Sequence, residues 1–374
     1  MRFIHTADWQ LGMTRHFLDA DAQARFTAAR FDVIRSVLGL AQSEQAEFVV
    51  VAGDVFESNQ LDRRTVARAL EALGEIDVPV FLLPGNHDPL DASSVYRSEE
   101  FARRAPRTVA VLDGREPVTP TPGVELIAAP WRSKRPSEDL AAAACASLEL
   151  GEGTLRVLVA HGAVDAMSPD RDNPALLRLG DLEQAIGDGS IHYAALGDRH
   201  SATEVGATGR VWYSGAPEPT DYDELRPGFA LVVDLEPGTC EVSQRQVGTW
   251  RFARERFELP GAAGVDGVRR WLDGQPGKDR TVARLLLSGA ISVRESAELS
   301  ALLEAQRQVY AAIEAPMDDL AVLPGDGEFG DLGLSGFALA SLERLTAQAR
   351  ADAEGSDAAA GALALLYRLA GGAA

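Results

Sequence analysis

Along the N-terminal half of the chain, short apolar runs alternate with stretches of helical spacing, and each run stops at polar residues. Arg2 to Thr6 is such a run, followed by Asp8-Trp9-Gln10-Leu11-Gly12. From about Asp21 to Glu44, Phe26, Ala29, Val33, Val37 and Leu40 recur along one face, which predicts a helix. Phe48-Val49-Val50-Val51-Ala52 is nearly continuous, the pattern of a strand covered on both faces, and it ends in Gly53-Asp54. Asp62 is placed to cap a second helix that reaches Leu73. Val78 to Leu83 predicts a third strand, which breaks at Pro84-Gly85 and continues as Asn86-His87-Asp88. Strand, helix, strand, helix, strand implies βαβ crossovers and a layered α/β domain.

The alternation continues less regularly. Glu125 to Ala129 reads as a strand, Ser137 to Leu148 as an Ala-rich helix, and Leu155 to Ala160 as a strand ending in His161-Gly162. Tyr193 to Leu196 ends in Gly197-Asp198-Arg199-His200. Strand-like pieces at Arg210–Tyr213, Phe229–Leu235 and Cys240–Gln246 are close enough to suggest antiparallel pairing. A first domain is therefore expected over residues 1–250. The pattern restarts at Phe252 as a small α+β unit over 251–322, with helices around Gly267–Leu272 and Glu295–Gln306 and a strand near Val309–Ile313. From Leu323 to the end, a Pro/Gly-rich linker leads into a helical tail. The tail's two apolar patches (Leu339, Leu342, Leu345; then Leu363, Leu365, Leu366, Leu369) suit either closure on the chain itself or docking on a partner helix.

Composition narrows the classes. The chain has 374 residues, which suits two domains and an appendage. The two cysteines, Cys145 and Cys240, are too few and too far apart for a disulfide scaffold or a cysteine zinc site, and they suit a reducing cytoplasm. The apolar runs fall short of the roughly 18 residues a membrane span needs, and the N-terminus lacks signal-peptide anatomy. A formal net charge of -20 argues against tight nucleic-acid binding by the whole isolated surface. It leaves room for a local groove, metal ions that meet phosphate, or a basic partner.

The strand-end residues carry the chemistry. In open α/β sheets, ligands gather outside the carboxyl ends of strands. Here those ends supply Asp8 and Gln10, Asp54, Asn86 and His87, His161, then Asp198 and His200. Taken singly, Asp54 is a commonplace strand end, His161 a packed histidine, and Asp198 or His200 part of a solvated loop. Together, after successive strands, carboxylates, imidazoles and an amide oxygen form a ligand set for Mn²⁺, Fe²⁺, Zn²⁺ or a similar ion. Eight such groups exceed the needs of one ion. Two ions about 3.5–4 Å apart would use them, clamping a phosphoryl group and activating water for in-line attack. His5 is expected within its strand, packed or supporting the site, while His16 and His192 carry no assigned role.

The ordered set Asp-x-Gln, Gly-Asp, Gly-Asn-His-Asp, His-Gly, Gly-Asp-x-His resembles the calcineurin-like metallophosphoesterases. The segments His5–Gly12, Gly53–Phe56, Gly85–Asp91 and Tyr213–Glu218 are similar to the SbcD-type DNA repair exonucleases of that superfamily. The likeness covers roughly residues 1–245. It implies a layered sandwich of mixed β-sheets flanked by helices, with a small α+β capping domain and a C-terminal helical tail that docks an ATPase. It also implies two divalent ions, usually manganese. Asp8, Gln10, Asp54 and His200 would surround one, and Asp54, Asn86, His161 and Asp198 the other, with Asp54 bridging. His87 would act on the phosphate or the leaving oxygen without being a ligand, and Asp88 would position the loop or His87.

Two positions depart from the family pattern. The family has His where this chain has Gln10, and Gly-His-x-His where it has Gly-Asp198-Arg199-His200. Each ion therefore loses an imidazole, and Asp198 would harden its site toward Mn²⁺ or Mg²⁺. The resemblance implies a cytoplasmic, metal-dependent DNA exo/endonuclease that works as a homodimer with an SbcC-like coiled-coil ATPase. Two alternatives stay open: a phosphoesterase for small esters, and a scaffold subunit whose centre is weakened.

Overall fold

In the computed structural model, residues 1–146, 148, 153–259, 262–323, 335–351 and 355–369 are described. The chain divides into two compact units, residues 1–15 with 23–250, and residues 16–22 with 251–374.

The first unit is built on two sheets. Its elements in order are β1 (Arg2–Thr6), α1 (Ala20–Ser43), β2 (Phe48–Val51), α2 (Arg63–Leu73), β3 (Val80–Leu82), α3 (Glu99–Arg104), β4 (Val109–Val111), β5 (Val124–Ala129), α4 (Leu140–Cys145), β6 (Leu155–His161), α5 (Leu179–Gly187), β7 (Tyr193–Gly197), β8 (Thr203–Glu204), β9 (Val211–Tyr213), β10 (Phe229–Leu235) and β11 (Cys240–Gln246). One sheet has the order β11-β10-β1-β2-β3-β4 and the other β5-β6-β7-β9-β8. β1 to β4 are mutually parallel, as are β5, β6, β7 and β9, so the carboxyl ends within each group share an edge.

Alternation of side chains across the strands explains the layering. Phe3, Phe48, Val50 and Phe81 face Leu126, Val157, Val159 and Tyr193 between the sheets. Phe3 and Phe48 stack there with ring centroids 5.1 Å apart. Ile4, Val49, Val51 and Val80 turn the other way, onto Ile34, Val37 and Leu38 of α1 and Val66 and Leu70 of α2. Ile127, Leu158, Ala160 and Ala194 meet Leu182 of α5 on the outside of the second sheet. Fully burying one such side chain contributes roughly 1.5–3 kcal/mol, which is why these short strands can carry polar loops at their ends.

The helix and strand ends differ from the sequence pattern by a few residues, for local reasons. Asp62 caps α2 by accepting from Thr65 N at 2.7 Å. The Ala-rich helix is shorter than its composition predicts, because Asp139 accepts from Ala141 N and Ala142 N and starts it there. The antiparallel expectation for the three late strands holds only for β10 with β11. β9 joins the second sheet, parallel to β7 and antiparallel to β8, because buried Val211 and Tyr213 complete the core under that sheet.

The second unit contains β12 (Arg251–Leu259), α6 (Ala262–Gly274), β13 (Thr281–Ser292), α7 (Val293–Arg307), β14 (Ala312–Glu314), β15 (Leu320–Leu323), α8 (Phe337–Arg350) and α9 (Ser356–Leu369). β13 pairs in parallel with β12, β14 and β15. Ser292 and Glu295 form a capping box at the start of α7, which fixes where β13 turns into helix. Leu342 and Ala349 of α8 and Ala359 and Leu363 of α9 pack with Val293 and Ala297 of α7, so part of the tail closes on the chain itself. Phe337, Leu339, Leu365 and Leu369 remain exposed. The expected linker at 323–330 lies almost wholly outside the described residues. Among the described residues, no helix is long and apolar enough to cross a membrane.

Candidate metal centre

The carboxyl-end loops of β1, β2, β3, β6 and β7 bring the polar strand-end residues together. The β1 and β2 loops are laced to each other: Asp8 N donates to Gly53 O at 3.0 Å and Gln10 N to Asp54 O at 2.9 Å. Asp8, Gln10, Asp54 and Asp198 all have positive φ, at 55°, 45°, 52° and 103°. Among the described non-glycine residues, only Gln45 shares this feature. A non-glycine side chain held in this region costs of order 1–3 kcal/mol, and such strain concentrates at functional sites. Two glycines permit the crowding. A Cβ at Gly85 would collide with Asp54, and one at Gly53 (φ 96°) with the His161 ring.

Asp8, Asp54 and His161, all buried, offer ligand atoms that lie within 4.8 Å of one another. His161 Nδ1 is 2.9 Å from Ala52 O, which can only accept, so that nitrogen carries a proton. Its Nε2 then faces the cluster: 2.7 Å from Asn86 Oδ1, 3.4 Å from Asp54 Oδ2 and 3.9 Å from Asp198 Oδ1. Trp131 donates to His161 O at 2.6 Å and packs edge-on against the ring, fixing it from outside. On the other side of Asp8, His200 Nε2 lies 3.9 Å from Asp8 Oδ1 and 3.4 Å from Gln10 Nε2. Gln10 is buried, and its Oε1 has no hydrogen-bond partner. Asp198 N donates to both Asp8 oxygens, at 3.2 and 3.1 Å, tying the two halves together.

Electrostatics agree with a cation-seeking site. Burial pushes Asp8 up to about 6, aided by Asp54 and Asp198 and opposed by His200 and His161. Burial pulls His161 down, but Asp54, Asp8 and Asp198 overcome it and leave the imidazole well above its ordinary value. Burial also opposes the charge on Asp54, yet His161 and His87 win and hold it below the usual carboxylate range. The protein has thus gathered negative charge around one imidazole nitrogen, Nε2 of His161. The donors are oxygen and nitrogen without sulfur, with one orphaned amide oxygen, and these residues fit a hard or borderline divalent cation.

His87 stands beside this cluster. Its Nδ1 is 3.0 Å from Glu57 O, and its Nε2 is 4.0 Å from Asp54 Oδ2. Asp88 points away. It is fully buried, and its carboxylate accepts from Gly85 N at 2.8 Å, Phe56 N at 3.0 Å and Tyr96 OH at 2.5 Å. It braces the loop and does not face the cluster. His5 is also set apart, between Tyr193 OH and Leu196 O, with burial lowering it to about 3 and keeping it neutral.

Several supporting residues carry no sequence signal. Tyr96 on Asp88 is one, and Glu224 with Thr220 behind His200 are others. Tyr213 donates to Gly162 O at 2.8 Å and accepts from Val164 N at 2.9 Å, holding the loop after His161. A cleft of about 350 Å³ opens beside His200 and Asp198, with Arg199, Met167 and Asp221 in its walls.

A sandwich of mixed sheets with this donor set at its strand ends is that of a metallophosphoesterase-type hydrolase. Residues 1–233 match the Calcineurin-like phosphoesterase family, and the chain belongs to it. Among curated proteins, it is similar to the DNA double-strand break repair protein Mre11 of Archaeoglobus fulgidus, 27% identical over 84% of this chain and 73% of that protein. It is also similar to the SbcD component of nuclease SbcCD of Escherichia coli K12, 26% identical over 64% of this chain and 66% of that protein. Mre11 of Haloferax volcanii is 24% identical over 72% of this chain and 57% of its own length.

Proposed function

We propose that this chain is a metal-dependent DNA nuclease that hydrolyses phosphodiester bonds in DNA repair. The observation that carries the reading is the convergence of Asp8, Asp54 and Asn86 from the carboxyl ends of one sheet with His161, Asp198 and His200 from those of the other, with His87 at the rim. The names of the curated relatives support the DNA substrate. Asp54, Asn86, His161 and Asp198 would hold one divalent ion, and Asp8, Gln10, His200 and Asp54 a second, with manganese as the expected metal. When bound, such ions neutralise phosphoryl charge and lower the pKa of water.

The chain's own residues do the remaining work. His161 presents Nε2 because Ala52 O keeps its Nδ1 proton. Asp54 is fixed by His87 N, which donates to its Oδ1 at 2.9 Å. Glu57 O orients the His87 ring, so its Nε2 is the atom available to hold a proton for the leaving oxygen. Asp88, anchored by three donors, keeps the turn in register.

The net charge of -20 fits a subunit whose grip on DNA comes from a partner, here an SbcC-like coiled-coil ATPase, with the chain acting as a homodimer. A second reading, a scaffold with a weakened centre, is favoured by one observation. Gln10 brings a neutral amide, not an imidazole, to within 3.4 Å of His200 Nε2. The test is Mn²⁺ titration of the purified protein with linear duplex and single-stranded DNA. Two ions per chain with cleavage support the nuclease; one ion or none, without cleavage at saturation, moves the scaffold ahead.

A further inference from the structure

His200 is held from behind by a carboxylate that belongs to no motif. Its Nδ1 lies 2.9 Å from Glu224 Oε1 and 2.7 Å from Thr220 Oγ1. Both Glu224 oxygens accept from Thr220 N, at 3.1 and 3.0 Å, and Oε1 also accepts from the Thr220 hydroxyl. These donors fix the carboxylate as an acceptor. The proton between Glu224 and His200 therefore belongs to His200 Nδ1, and in the neutral ring the lone pair is left on Nε2. That atom faces Asp8 Oδ1 and the Gln10 amide.

The segment behind the ring is itself anchored. Buried Arg30 donates to Pro219 O at 2.9 Å, and Arg15 donates to Thr220 O. The Glu224 side chain is only 6% exposed. A carboxylate placed behind a ligating imidazole fixes its tautomer and raises its basicity, and removing such a partner typically costs 10–100-fold in metal affinity.

We propose that Glu224 is a positioning residue for the Asp8 side of the centre. It sets the tautomer and direction of His200, and it supports the one imidazole left on that side now that Gln10 supplies only an amide. On the far side, the corresponding proton of His161 goes to a neutral carbonyl, Ala52 O. The two halves are thus supported differently, and loss of Glu224 should be felt by one half alone. The inference rests on the metal-centre reading above.

The experiment has two parts. Metal-free protein labelled with ¹⁵N-histidine is examined by long-range ¹⁵N–¹H correlation, with His200→Gln assigning the signal. Burial lowers the His200 pKa, but Glu224 and Asp8 outweigh this and raise it, so the spectra are taken above the pH at which the ring becomes neutral. There the expected result is a protonated Nδ1 and a bare Nε2, and the reverse tautomer overturns the proposal without any change at Glu224. Mn²⁺ is then titrated into wild type and Glu224→Gln, followed by calorimetry and electron paramagnetic resonance, with the thermal midpoint of each metal-free protein recorded. In Glu224→Gln, an amide NH₂ must face either Thr220 N–H or His200 Nδ1–H, so one ion should bind about 10–100-fold more weakly and the other as before. Equal affinities in the two proteins overturn the proposal. So does parallel loss of both ions with a lowered thermal midpoint, which would make Glu224 a residue of the fold alone. If wild type binds no Mn²⁺ while the tautomer is as expected, the metal-centre reading itself falls.

Discussion

Asn86 Oδ1 stands 2.7 Å from His161 Nε2, while the other ring nitrogen is committed to Ala52 O. Two acceptors at that distance need a positive centre between them. In the metal-free protein a proton fills the role, and Asp54, Asp8 and Asp198 favour it by raising the imidazole above its ordinary value. A divalent ion must displace that proton. Metal binding should therefore release protons, and affinity should rise with pH through the neutral range. Below about pH 6, Asp8 takes up a proton too and weakens binding further. Calorimetry of Mn²⁺ binding in two buffers of different ionisation enthalpy measures the release directly. A pH-independent affinity with no proton release would contradict this account of the centre.

His87→Ala tests the rim of the site. The ring is partly exposed, donates to Glu57 O and contributes little to the core. Its loss should lower the rate of phosphodiester hydrolysis by about 10²–10⁴, the usual contribution of a positioned acid or base. Metal content and the unfolding midpoint should change little. Turnover close to wild type would reject His87 as the proton-holding residue.

Much of this site is legible in the sequence, for a physical reason. Strands buried on both faces read as unbroken apolar runs, so Asp54 after Phe48–Ala52 and His161 after Leu155–Ala160 stand out where the run stops. The supports are not legible in the same way. Glu224 is 24 residues from His200, and the loop between them is anchored by Arg15 and Arg30, residues far off in the chain. Tyr96 looks like any core aromatic until Asp88 is seen beneath its hydroxyl. The sheet that β9 joins is equally hidden. Spacing favoured the nearer β10, while burial of Val211 and Tyr213 decided for β7.

Gln10→His tests the departure that motivates the scaffold reading. Gln10 is buried at φ 45° with an unpartnered Oε1 and its amide nitrogen 3.4 Å from His200 Nε2. An imidazole there should raise Mn²⁺ affinity at the Asp8 side about tenfold or more and increase hydrolysis with it. The histidine is no worse suited to this backbone than glutamine. If affinity and rate stay at wild-type values, position 10 does not face the ion.

Tyr96→Phe should destabilise the loop that carries Asn86 and His87. The lost hydroxyl donates to a fully buried carboxylate, a bond worth about 1.5–3 kcal/mol when the acceptor is charged. Burial and Asp54 raise Asp88 to about 6, against the donors that hold it down, Tyr96 among them. Above that pH the folded state carries the charge, and the mutant lacks a donor for it. As pH falls through about 6, Asp88 protonates in the folded protein and the deficit shrinks. Urea unfolding of the metal-free proteins should therefore show a larger difference at pH 7.5 than at pH 5. An equal difference at both would mean that Tyr96 acts by packing against Phe56 and Phe101, not through Asp88.

The tail separates two jobs that a deletion would confuse. Leu342 of α8 and Leu363 of α9 are buried with Val293 and Ala297 of α7, so removing the tail would expose the core of its own unit. Phe337, Leu339, Leu365 and Leu369 are exposed, two of them by more than three quarters of their surface (Phe337 88%, Leu369 78%). Exposed apolar side chains on paired helices are a natural seat for an apolar helix of a coiled-coil partner. Replacing these four by Ser should change stability by only about 0.5 kcal/mol or less at each position, because none of them fills the core. The same change should weaken binding to the proposed ATPase partner at least tenfold while hydrolysis of a small phosphodiester stays at the wild-type rate. Thermal unfolding, a binding titration and the small-substrate assay check the three parts separately. A quadruple variant that keeps its fold and still binds the ATPase as tightly as wild type would place the docking surface elsewhere.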